Sequence, residues 1–471
     1  MTRETVIGLE VHVQLNTRSK LFCGCSASFG DPPNTNVCPV CLGLPGALPV
    51  TNREAVRYAV RTALALGCAV SQESLFARKH YFYPDLPKGF QISQFDSPLA
   101  TGGHLDVEID GVCRAIGITR LHLEEDAGKS LHDRVPNRSA IDFNRCGVPL
   151  IEIVSEPDMR SPEEARVYLQ ALKQILEYLE VSNCNMEDGS LRVDANLSVR
   201  AVGDALGTKQ EVKNMNSFAT TVKALAELRD LQTAALERGE TVELTTYSAG
   251  TGSLRPLRTK EQSHDYRYFS EPDLPPLSLG HLEVDVEQER ESLPELPAVR
   301  RVRLQAEYSL ARDDATTIAA RRDRADYFES VVAACGDAKA AADWVTGPVL
   351  ADAKANRTTF RVSAERLASL ITLVGKGTLS NRAAKQVFSS LALEDAPPLR
   401  VAERLNLIQV SDEARVAQWI DEVLRTSRAE VQRYRDGAVK LFGFFMGEVM
   451  KRSDGRADPS VVEALLRRRL G

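Results

Sequence analysis

The sequence has no run of about 18 apolar residues, the length that crosses a membrane, and its first residues reach acidic Glu4 and Glu10 before any apolar stretch of signal length. A cytoplasmic protein with no membrane contact is expected. There is no G-x-x-x-x-G-K-[ST] loop, no G-x-G-x-x-G fingerprint and no G-x-S-x-G elbow. A nucleotide would therefore need an unusual pocket, and amide hydrolysis has no evident nucleophile. Aromatic residues are sparse at 6%, low-complexity tracts and internal repeats are absent, and the odd count of 9 cysteines argues against a disulfide framework.

What remains is an ordinary globular composition: 471 residues, 43% hydrophobic and 26% charged, with a formal net charge of -6. That length suggests about three domains. The charge is uneven. Residues 298–471 hold 29 basic and 23 acidic residues, so the back is +6 and the front -12. A mildly basic back half suits an anionic partner such as nucleic acid and equally suits a plain helical domain.

Pro/Gly punctuation and period-2 segments fill residues 1–296, and helical spacing rich in Ala, Leu, Arg and Glu fills the rest. Breaks at Leu293-Pro294-Glu295-Leu296-Pro297 and at Asp395-Ala396-Pro397-Pro398 predict three parts: 1–296, 297–396 and 397–471. From Val6 to Leu15, alternation puts Glu10, His12 and Gln14 on one strand face, and from Ser190 to Arg200 it does so for Arg192, Asp194 and Asn196. Such half-buried strands suit an antiparallel sheet. Ser161-Pro162-Glu163-Glu164 reads as the capped start of a helix to about Glu180, and another helix is predicted over Thr220–Leu236. The fold class expected is α+β with a largely antiparallel N-terminal sheet, then an all-helical domain and a small helical tail.

Cys23-Gly-Cys25, twelve intervening residues and Cys38-Pro-Val-Cys41 supply two tight thiol pairs, the arrangement of a tetrahedral Zn site. Four sulfur ligands leave no position for substrate, so this zinc is expected to be structural. Glu10 and His12 lie roughly 7 Å apart on one strand face and could converge on a cation. Leu121-His122-Leu123-Glu124-Glu125-Asp126 ends an alternating stretch in three carboxylates, and Glu152 interrupts the apolar run Pro149–Val154. A glutamate set among aliphatics is an edge residue or a buried charge that needs a partner. Carboxylates with one imidazole suit Mg²⁺ that keeps water or phosphate in its shell. Residues 78–89, RKHYFYPDLPKG, interleave bases and aromatics; on their own terms they read as a Pro-rich loop whose rings plug a core.

The segments ETVIGLEVHVQL, RKHYFYPDLPKGFQISQFD, RLHLEEDAGKS, DFNRCGVPLIEIVSEPD, MEDGSLRVDANLSVR, GTKQEVKNMNSF, HDYRYFSEPDLPPL and GFFMGEVMK, spread over nearly the whole chain, closely resemble the B subunit of the bacterial tRNA-dependent amidotransferase. The resemblance implies a cradle-like catalytic domain, a helical domain and a tRNA-binding helical tail. It implies a heterotrimer with an amidase-type A subunit that acts as glutaminase and a small C subunit. Aminoacyl-tRNA is the implied substrate, and the cognate aminoacyl-tRNA synthetase a further partner. ATP and Mg²⁺ would phosphorylate the side-chain carboxylate of misacylated Glu-tRNA(Gln) or Asp-tRNA(Asn), and ammonia from the A subunit would displace phosphate. The catalytic and metal residues carried over are Glu10, His12, Glu125 and Glu152, with Asp194 as a further Mg²⁺ candidate. Strand alternation instead places Glu124 on the face of His122, and a bulge at Glu125 would reconcile the two. Lys79, Lys88, Arg192, Lys209 and Lys213 are candidates for holding nucleotide phosphates. The cysteines occur in only some family members, which fits a structural zinc. The rival classes are a zinc-ribbon RNA-binding factor, which would turn over no ATP, and a lone metal-dependent hydrolase on Glu10, His12 and Glu152, which would act without partners.

Overall fold

The computed structural model describes residues 2–135, 138–250, 253–259, 266–410 and 412–471. Two compact units divide at Pro297 and Ala298. His264 and Asp265 of the HDYRYFSEPDLPPL segment lie outside the described residues.

In the first unit, strand β1 (Arg3–Gln14) is followed by helix α1 (Arg53–Ala65), β2 (Ala77–His80), β3 (Phe90–Ser93), β4 (Val112–Glu125) and β5 (Pro149–Ser155). Then come α2 (Pro162–Tyr178), β6 (Leu191–Ala201), β7 (Gln210–Met215) and α3 (Phe218–Glu237). A ten-stranded sheet has β7, β6, β1, β5 and β4 as consecutive neighbours, each pair antiparallel. The strand Thr245–Ser248 joins β7 in parallel. β2 and β3 form a separate antiparallel pair, extended by Phe269–Ser270.

Alternation decides which face is which. Ile7, Leu9, Val11 and Val13 of β1 are buried in one core with Ala59 and Val60 of α1 and Tyr168, Leu169 and Leu172 of α2. At roughly 1.5–3 kcal/mol per fully buried aliphatic, a one-residue slip of β1 would forfeit on the order of 10 kcal/mol, which fixes the register. The other face is left for Glu10, His12 and Gln14. Ser161 caps α2 by accepting from the Glu164 amide at 3.1 Å, and the Glu164 carboxylate accepts from the Arg160 amide at 2.6 Å.

The second unit is helical. Helices between Arg312 and Arg404 bury Phe328, Trp344, Leu370, Val387, Val401 and Ala402 in one core. A separate core of Val416, Trp419, Ile420, Phe445, Val449 and Leu466 gathers the helices from Glu413 to Leu470. The helix Pro398–Arg404 thus packs with the preceding helices, not with the following ones. Among the described residues, no helix is long and apolar enough to cross a membrane.

Candidate active site

The polar face of the sheet is a small lattice fixed by register. Arg192 of β6, His12 of β1, Glu152 of β5 and His122 of β4 stand in one row. Asp194, Glu10, Val154 and Arg120 form the next row, and Leu150 pairs with Glu124 on the other side. Three ligand atoms converge: the His12 Nε2 lies 3.5 Å from Glu124 Oε1 and 3.2 Å from Glu152 Oε2. His122 Nε2 approaches Glu152 Oε2 at 3.6 Å and Glu124 Oε2 at 3.9 Å, and its Nδ1 has no hydrogen-bond partner. His12 and Glu124 of this cluster line a cleft of about 560 Å³ together with Lys79, Tyr81, Arg192, Asp194 and Lys213.

The field of this site favours positive charge. Burial opposes the His12 imidazolium, yet the hydrogen bond to Glu152 and the charges of Glu124 and Glu152 outweigh it and lift the pKa to about 9. Burial likewise raises Glu152, and the His12 hydrogen bond with the His122 and His12 charges overcomes it, leaving the carboxylate well below its usual range. Glu10 is different. Burial, then Glu152 and Asp194, push its pKa up, and its Oε1 accepts from Asn196 Nδ2 at 3.0 Å. It stands beside the convergent trio, not in it.

The carboxylate that completes the trio is Glu124, and Glu125, expected there from the resemblance, stands apart from it. Glu125 pairs with Pro149 and Glu124 with Leu150, so alternation persists to the strand end; the register shift falls at Val154/Ser155, far from it. Glu125 therefore turns to the opposite face, where it accepts from the Ile92 amide at 2.9 Å and pairs with Lys88. Lys88 is consumed by that ion pair and does not line the cleft. Asp126 takes a third direction, accepting from Gln14 Nε2 at 2.7 Å and lying 2.8 Å from Arg192 Nη2.

Of the other cations expected, Lys213 sits 2.7 Å from Asp194 and 2.9 Å from Glu211. Lys79 lies 5.1 Å over the Tyr266 ring; burial depresses its pKa, but Glu124, Tyr268 and Glu152 more than restore it. Lys209 is exposed in the loop before β7 and does not line the cleft. The aromatic stretch does not plug a core: Phe82 is 76% exposed and Tyr83 58%. The sequence reading missed Arg120 and left His122 without a role, although their spacing of four and two residues from Glu124, on one strand face, was the signal.

The four sulfurs of Cys23, Cys25, Cys38 and Cys41 all lie within 4.8 Å of one another. The hydrogen bond from the Cys23 thiol, against the cost of burial, and the Cys38 amide at 3.2 Å pull Cys41 down to about 4, while Cys23 is pushed up. Lys20, fully buried, donates to the Asn36 carbonyl at 2.7 Å and approaches Cys41 Sγ at 3.6 Å. A buried ammonium beside a thiolate is the environment a four-sulfur zinc site would use to offset its excess negative charge.

Two family profiles match the chain: one described as GatB/GatE catalytic domain over residues 5–285 and one described as GatB domain over residues 326–470. A protein of Moorella thermoacetica named as the B subunit of aspartyl/glutamyl-tRNA(Asn/Gln) amidotransferase is 50% identical over 481 residues, spanning 100% of both chains. Proteins of the same name from Chlorobium limicola and Geobacter sulfurreducens are 48% identical, again over 100% of both chains. The lattice of acids and imidazoles just described lies within the catalytic-domain match, and the chain belongs to the family of aspartyl/glutamyl-tRNA(Asn/Gln) amidotransferase B subunits.

Proposed function

We propose that this chain activates the side-chain carboxylate of Glu or Asp esterified to tRNA and directs ammonia onto it, producing Gln-tRNA(Gln) or Asn-tRNA(Asn). The observation that carries this reading is the convergence of His12, Glu124 and Glu152, the first two of which line a cleft together with Lys79 and Arg192. Two hard carboxylates and an imidazole fit a divalent cation that keeps open positions, so His12, Glu124 and Glu152 would hold Mg²⁺ with Glu10 and Asp194 beside them. Bound there, Mg²⁺ would offset charge on the phosphates of ATP.

The substrate carboxylate oxygen attacks the γ-phosphorus, ADP leaves, and an acyl phosphate forms on the amino acid. Ammonia then adds to the acyl carbon, loses a proton, and expels phosphate. In the cleft, Lys79 offsets negative charge, Tyr81 and Arg192 shape the wall, and Asp126 fixes the Arg192 guanidinium. The ammonia comes from a glutaminase, the amidase-type A subunit, with a small C subunit completing a cytoplasmic heterotrimer that the cognate synthetase would feed. The four cysteines would hold a structural zinc. We divide the chain into a catalytic domain, a middle helical domain and a tail that binds tRNA.

The test uses the assembled enzyme with Glu-tRNA(Gln), ATP and ammonium in place of glutamine. Glu152→Gln should abolish ATP-dependent amidation with either nitrogen source while the partner continues to hydrolyse glutamine. Recovery of amidation on adding ammonium would place the defect in ammonia delivery and overturn the assignment.

A further inference from the structure

The cations around the cluster are not equivalent. Arg192 is held by Asp126 at 2.8 Å, Lys213 by Asp194 at 2.7 Å, and Lys88 by Glu125 on the other face. Arg120 has no such close partner among the described residues. Its one ion pair there is Nη2 to Glu152 Oε1 at 3.5 Å, the outer limit of hydrogen bonding, and its side chain is 36% exposed. The position is set by the sheet: Arg120 shares the face of His122 and Glu124 by alternation and pairs with Val154, which in turn adjoins Glu10; it stands beside the cleft rather than in its lining and reaches the cluster through Glu152. It therefore approaches Glu152 from Oε1, while His12 and His122 face Oε2.

We infer that Arg120 is a catalytic residue that grips the phosphoryl group being transferred from the nucleotide, an inference that rests on the phosphorylation reading above. A guanidinium fork fits phosphate and carboxylate alike, and the chemistry separates them. Gripping the attacking carboxylate would quench the lone pair it must use. The phosphoryl group instead gathers charge as the carboxylate oxygen bonds to phosphorus and the bond to the ADP oxygen breaks, so a cation there stabilises the transition state more than the ground state. Glu152 keeps one edge of the guanidinium oriented and leaves the other for the phosphate oxygens.

The experiment compares the wild-type assembly with Arg120→Ala and Arg120→Lys, using ammonium-driven amidation of Glu-tRNA(Gln). Binding of a non-hydrolysable ATP analogue and of Mn²⁺, and the thermal midpoint, are measured beside it. Arg120→Ala should lower kcat by about a thousandfold and weaken the analogue, as loss of an arginine on a transferring phosphoryl group does. Mn²⁺ affinity and the midpoint should stay near wild type. Arg120→Lys should recover only part of the rate, because a point charge lacks the fork. Unchanged kcat and analogue binding in Arg120→Ala would overturn the inference. So would a raised KM for the aminoacyl-tRNA with analogue binding intact, which would assign the guanidinium to the acyl carboxylate, or an equal loss of Mn²⁺, which would make Arg120 a support for Glu152. Failure of the wild-type assembly to need ATP would refute the parent reading instead.

Discussion

Replacing Glu124 and Glu125 in turn by glutamine separates two neighbours that the sequence barely distinguishes. Glu124 Oε1 lies 3.5 Å from His12 Nε2, so a unit positive charge at that point gains about 5 kcal/mol from it at an effective dielectric near 20. Solvent reaching half-buried His12, and the relief of Glu124 desolvation, should reduce the net loss to roughly 2–3 kcal/mol, or about 30- to 150-fold in cation affinity. Glu124→Gln is expected to weaken Mn²⁺ by that factor with little loss of thermal stability. Glu125→Gln should do the reverse. It leaves the Lys88 ammonium, 8% exposed, without its carboxylate, at a cost of about 3–5 kcal/mol. Isothermal titration with Mn²⁺ and thermal denaturation of the purified assembly read the two effects separately. Weaker Mn²⁺ binding in Glu125→Gln than in Glu124→Gln would refute the assignment of faces.

Three further outcomes are expected. Native mass spectrometry should find one zinc per chain, and Cys38→Ser should lower the thermal midpoint before it changes amidation; full stability of the zinc-free chain would count against a structural role. Removing residues 411–471 should raise KM for aminoacyl-tRNA steeply with salt, since Arg467, Arg468 and Arg469 crowd the last helix, whereas an unchanged KM would give the tail another task. Gly103 has φ +96°, and a Cβ there would sit 2.6 Å from the Leu66 carbonyl oxygen, so Gly103→Ala should destabilise by about 2 kcal/mol or more in a denaturant titration. A neutral result would mean that the turn can relax.

Strand faces were legible in the sequence because period 2 is local: Glu10, His12, Arg192 and Asp194 share the polar face expected of them. The same rule put Glu124 on the face of His122, and there it meets His12 and Glu152. Partners were not legible. Lys88 looked available for phosphate, yet the carboxylate that captures it is 37 residues away and meets it only through tertiary folding. Lys20 is likewise buried by residues distant in the chain, the Asn36 carbonyl and Cys41 Sγ. The helix Phe218–Glu237 was foreseen from its spacing, whereas the packing of Pro398–Arg404 on the preceding helices was hidden, because a Pro-Pro pair marks a backbone break and says nothing about which core the next helix joins.

The three carboxylates at the end of β4 serve three separate neighbourhoods: Glu124 the imidazoles, Glu125 Lys88, and Asp126 Arg192 with Gln14. A consequence is that the length of this segment is fixed. Inserting or deleting one residue between Arg120 and Asp126 would hand each carboxylate to its neighbour's partners, setting the Lys88 partner among the imidazoles and stranding a lysine on the far side. A two-residue change would restore the faces but move every acid one row along the lattice. Natural length variation should therefore collect in the turns on either side, leaving the run from Arg120 to Asp126 at constant length.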